Sequence, residues 1–125
     1  VAVIELVSFG HLHLPDGQLP IADRVEDVRT RLYDPAAAPG ILELDGLDPR
    51  VQDVVLDTAG AQELLEELVE YATSPRRIAI GCSGGRHRAS ALCEILAARL
   101  RESGHHVQVE HRHVHLPRVL KDPTP

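Results

Sequence analysis

Apolar positions along the chain change period several times, and each change marks an element. Residues 1–7 are apolar except for Glu5, which predicts a strand buried on both faces and running into Ser8-Phe9-Gly10. Residues 11–20 hold two prolines, a glycine and an aspartate, and read as an irregular loop. A second strand is expected within residues 21–32, where a period of two puts Asp27 and Arg29 on one face. Residues 34–46 contain three alanines, two prolines and two glycines, and read as an exposed loop. Asp48 is a good N-cap and Pro49 a good first helical residue, so Val51, Val54 and Val55 fall in a short helix. The clearest helix is predicted over residues 58–73. Ala61, Leu64, Leu65, Leu68, Val69 and Ala72 make its apolar stripe, and Glu63, Glu66, Glu67 and Glu70 make a solvated face.

The run Ile78-Ala79-Ile80 predicts another buried strand. After it come Gly81, Cys82, Ser83, Gly84 and Gly85, and then a helical pattern in Ala91, Leu92, Ile95, Leu96 and Leu100. That helix should end near Gly104, with Arg99 and Arg101 complementing its dipole. Residues 105–114 alternate, as a half-buried edge strand does, with Val107 and Val109 on one side and Gln108 and Glu110 on the other. Residues 118–125 read as a flexible tail after a single domain over residues 1–117.

Strand, tight loop and helix in that order place unpaired N–H groups and the positive end of a helix dipole at one spot. Such a spot binds anions, phosphate above all. Gly84 and Gly85 allow left-handed angles and close approach, while Arg86, His87 and Arg88 bring donors and positive charge. The loop is not a Walker P-loop, because no G-x-x-x-x-G-K-[ST] occurs in the chain.

Composition narrows the picture. A chain of 125 residues is one domain, and with Phe9, Tyr33 and Tyr71 its only aromatic residues, its core must be aliphatic. A net charge of −6 argues against a protein that coats nucleic acid nonspecifically, though it permits a local basic patch. Two cysteines, Cys82 and Cys93, make no disulfide framework, and Cys93 reads as a small core residue. With no secretory pattern and no membrane-length apolar run, a cytoplasmic setting and no membrane partner are expected. The absence of methionine reads as a trimmed or processed start.

Five features, in chain order, carry a family resemblance. They are Ser8-Phe9-Gly10, Asp27-Val28-Arg29, Gly46-Leu47-Asp48-Pro49, Gly81-Cys82-Ser83-Gly84-Gly85-Arg86-His87-Arg88-Ala89, and the His111-Arg112 segment. Together they resemble the C-terminal domain of the RNase adapter protein RapZ, or YvcJ family, standing without that family's N-terminal P-loop domain. The resemblance implies an α/β fold with a mixed sheet and a ligand site at the carboxyl ends of the strands. It implies binding of an amino-sugar phosphate or nucleotide, and it leans toward RNA or protein partners and a homo-oligomer. The expected ligand residues are Cys82, Ser83, Gly84, Gly85, Arg86, His87, Arg88, His13, Arg29 and Asp27. Such a module is a sensor and needs no cofactor.

Two other readings stay open. Cys82 and Arg88 have the C-x5-R spacing of cysteine phosphatases, which would make Cys82 the nucleophile, Arg88 the phosphoryl holder and Asp27 the general acid. Gly81 and Ala89 depart from that signature, which usually has His before the cysteine and Ser or Thr after the arginine. An RNA-binding reading needs a patch of Arg86, Arg88, Arg112, Arg118 and Lys121. His111, His113 and His115 alternate and would share a face on a continuing strand, but no matching carboxylates or thiolates accompany them, and no metal site is expected.

Overall fold

The computed structural model describes residues 2–32, 40–72 and 75–116. Residues 34–39 of the loop expected over 34–46 lie outside these residues, as does the whole tail at 118–125. Four strands and three helices are formed among the described residues: β1 (Val3–Gly10), β2 (Arg24–Asp27), α1 (Pro49–Leu56), α2 (Ala61–Tyr71), β3 (Arg77–Cys82), α3 (Arg88–Glu102) and β4 (His106–His111). The strand order is β2-β3-β1-β4.

Every described strand pair is parallel, so the sheet is not the mixed one that the resemblance implied. The connections explain this. The link from β1 to β2 crosses the sheet instead of closing a hairpin, and helices intervene before β3 and before β4. A parallel sheet brings all its carboxyl ends to one edge, which gathers the loops after Gly10, Asp27, Cys82 and His111. β2 lies beside β3, with Asp27 opposite Gly81, and not beside β1.

The two sheet faces are covered differently. Ile4 and Leu6 of β1 and Ile78 and Ile80 of β3 face the helices, against Leu64, Leu65 and Leu68 of α2 and Leu92, Leu96 and Leu100 of α3. Burying each such leucine contributes about 1.5–3 kcal/mol. Val7, Phe9 and Ala79 point the other way and are covered by Leu14, Ala22 and Val25, from the β1–β2 connection and β2 itself. Thus β1 is buried on both faces, as its apolar run requires.

Helix ends follow local chemistry. The Asp48 carboxylate accepts the Arg50 backbone N–H at 2.9 Å and starts α1 one residue before Pro49. Gly104, at a φ of 91°, ends α3 as expected. On α2 the acidic face is not purely solvated. Glu67 pairs with both Arg24 and Arg31, stitching the helix to the edge strand β2.

Candidate functional site

The strand-loop-helix unit forms where its sequence placed it, at the carboxyl edge of the sheet. Three of its glycines have distinct jobs. Gly85 has a φ of 75°, and a Cβ there would lie 2.7 Å from the Gly10 nitrogen. A Cβ on Gly10 would in turn lie 2.5 Å from the Gly84 carbonyl oxygen. The two loops therefore press backbone on backbone, tied also by the Leu12 N–H donating to the Ser83 carbonyl at 3.0 Å. Gly84 differs, because nothing lies within 4 Å of the position its Cβ would take. Its open side is the approach to the loop.

Donors are exposed there. Among the described residues, the N–H groups of Ser83, Gly84 and Arg86 have no protein acceptor. The Gly85 N–H is used internally, donating to the Cys82 sulfur at 3.2 Å. His87 occupies the N-cap of α3 and contributes no side-chain cap. The amino end of α3 is left with its own N–H groups and its dipole.

Arg88 does not extend into the open space. It is 5 % exposed, and its Nη1 donates to the carbonyls of Val28, Arg29 and Leu32 at 3.3, 3.1 and 3.0 Å. Its Nη2 lies 3.4 Å from the Ser83 hydroxyl. Arg86 behaves alike, donating to the carbonyls of Glu43 and Leu44 at 2.6 and 3.1 Å. Neither guanidinium has a carboxylate partner among the described residues. Two full positive charges thus flank the positive end of a helix dipole, and the oxygens they bind among the described residues are neutral. Gly46 completes this side, its N–H donating to the Arg86 carbonyl at 2.9 Å.

A second group closes the β2 side. Gly81 has no side chain, and a Cβ there would fall 2.7 Å from His11 Nε2. That space lets His11 cross the end of β3 and bring Nε2 to 3.5 Å from Asp27 Oδ1. The Arg29 guanidinium grips the same carboxylate, with Nη2 at 2.7 Å. These hydrogen bonds hold the Asp27 carboxyl down at about 2. Burial lowers His11, and Asp27 opposes that fall. His11 is the residue that sequence reasoning left out of the site; the signal was Gly81, a glycine whose absent side chain makes room for it.

The sign of the Asp27 effect is fixed. A depressed carboxyl stabilises the fold above its ordinary value of 3.8, and that contribution is lost as pH falls through about 2. Carboxyl NMR should show Asp27 titrating near 2 and, in Asp27→Asn, His11 shifted further down. A midpoint near 3.8 would mean that Arg29 is not held by Asp27 in solution.

The histidines at the end of β4 part company. The chain turns after His111, so the expected shared face does not form. His111 Nδ1 lies 2.6 Å from the Ser8 hydroxyl and its Nε2 lies 2.9 Å from Glu94. His113 Nδ1 accepts the Gly10 N–H at 2.8 Å. His115 reaches toward Asp45 at 3.8 Å. His13 stacks on His113 with centroids 5.0 Å apart, and its Nε2 is buried without a partner among the described residues. No group of three metal-ligating side chains is assembled among the described residues.

The geometry also bears on the two open readings. Cys82 is 3 % exposed, and a carboxyl held at about 2 is a poor proton donor for the acid role given to Asp27. The described members of the RNA patch, Arg86, Arg88 and Arg112, are each engaged within the fold. Arg88 is buried, Arg86 is bound to carbonyls and Arg112 pairs with Glu110, while 118 and 121 lie outside the described residues.

A small parallel α/β domain with a glycine turn and an uncapped helix amino end at its carboxyl edge is the class that fold and site define. The chain belongs to the RapZ C-terminal domain family, which it matches over residues 2–115. Among curated relatives, it is 40% identical to a nucleotide-binding protein of Thermobifida fusca, over 86% of this chain and 39% of that protein. It is 41% identical to one of Anaeromyxobacter dehalogenans, over 89% of this chain and 40% of the relative. A third, nucleotide-binding protein BL0705 of Bifidobacterium longum, is 40% identical over 90% of this chain and 36% of its own length. The chain therefore spans about two-fifths of these relatives or slightly less. No described helix is long and apolar enough to cross a membrane.

Proposed function

We propose that this domain binds a phosphorylated small molecule, an amino-sugar phosphate or a nucleotide, at the loop from Cys82 to Arg88. The observation that carries this is the pair of guanidiniums, Arg86 and Arg88, held by backbone carbonyls and the Ser83 hydroxyl, with no carboxylate partner among the described residues, beside the amino end of α3. Positive charge that is only partly solvated and has no counter-ion attracts an anion strongly. The free N–H groups of Ser83 and Gly84 and the open side of Gly84 give that anion donors and room. Arg88 acts on the phosphate through its charge and through Ser83, rather than by direct reach. Asp27, fixed as a carboxylate beside Arg29 and His11, accepts from the hydroxyls or amine of the rest of the ligand. The nucleotide-binding names of the relatives support the phosphate part of this reading.

The test is a thermal-shift screen of sugar phosphates, amino-sugar phosphates and nucleotides. A ligand at a hundred times its Kd should stabilise the fold by about 2.7 kcal/mol. A flat response to every phosphorylated compound at millimolar concentration would remove the proposal.

A further inference from the structure

The contact between His113 and Gly10 has a chemical condition attached. An imidazole nitrogen accepts a hydrogen bond only when it carries no proton. At 2.8 Å, Nδ1 accepts the Gly10 N–H, so the ring is neutral and its proton sits on Nε2. Protonation would place an N–H against an N–H and break the bond. We propose that His113 is a proton-operated clasp, which holds the end of β1 to the end of β4 when neutral and lets go when protonated.

The position makes this matter. Gly10 is the residue against which Gly84 and Gly85 pack, and a Cβ on Gly85 would lie 3.1 Å from His113 Cβ. The clasp thus backs the glycine turn directly and ties proton binding in the turn after β4 to the geometry of the loop. The groups facing the ring do not favour its charged form. His13 stacks on it from the turn after β1. Arg77 of β3 shares a pocket of about 520 Å³ with it and is paired with Glu5 at 2.5 Å. Arg112, next in the chain, is paired with Glu110 at 2.6 Å. Burial, then His13 and Arg112, lower the His113 pKa from its ordinary 6.5. The neutral form therefore stabilises the fold above 6.5, and that stabilisation is lost as pH falls below it through the lowered pKa.

The experiment is amide hydrogen exchange at Gly10 in the unliganded protein, corrected for the intrinsic pH dependence of exchange. In the wild type, protection should fall by about tenfold or more as pH is lowered from 8 to below the midpoint of the His113 ring, followed by NMR on the same sample. His113→Asn keeps an acceptor oxygen near the Nδ1 position but cannot titrate, so its Gly10 protection should stay level. His113→Phe should lose protection at both pH values, and if it does not fold, the wild type and the Asn variant decide alone. Level protection in the wild type would overturn the clasp, and so would a fall that persists in His113→Asn. No ligand enters this measurement, so the clasp and the phosphate reading stand or fall separately.

Discussion

Arg88→Ala is expected to lower stability by about 3 kcal/mol or more, read as a lower urea midpoint with an unchanged slope. The guanidinium donates to three carbonyls of the chain leaving β2, and its removal strands them near the protein interior. Arg88→Lys should recover only part of the loss, since an ammonium lacks the planar fork that faces several oxygens at once. An arginine serving the ligand alone would behave otherwise: its alanine variant would unfold like the wild type and lose only phosphate binding. The fold and the site share this one charge, so phosphate-induced stabilisation should also drop in both variants.

The second large effect separates two adjacent glycines. Gly85→Ala is expected to cost about 2–4 kcal/mol, because it forces a side chain into a left-handed backbone and against the Gly10 nitrogen. Gly84→Ala meets no neighbour within 4 Å and should change stability by less than about 0.5 kcal/mol. It should still abolish the thermal shift given by phosphate ligands, since its methyl group stands where the ligand would approach. Equal losses of stability in the two variants would show that Gly84 also supports packing and is not the open side of the loop.

The elements were readable because their signals are local. A three-residue apolar run before a glycine-rich turn, an Asp-Pro helix start and a three-to-four stripe each leave a mark in sequence, and each formed, the stripe as a helix over Ala61–Tyr71 within the expected residues 58–73. Strand order leaves no such mark. The placement of β2 beside β3 is decided by long-range packing, and with it the distance from Arg29 to the loop. Arg88 shows a different limit. Next to a glycine loop, an arginine that grips phosphate and one that grips carbonyls are written with the same letter. The histidines after β4 show a third: alternate spacing predicts a shared face only while the strand lasts, and this strand stops at His111.

The sheet's pairing also dictates how the chain can be made. Glu5 is matched with Arg77, and Val3 with His106, so the first strand has no partner until most of the sequence exists. A nascent chain on the ribosome must carry that bare apolar segment through synthesis, because no hairpin is available to shelter it early. Slow assembly of this domain follows from that central strand, which is made before either of its partners.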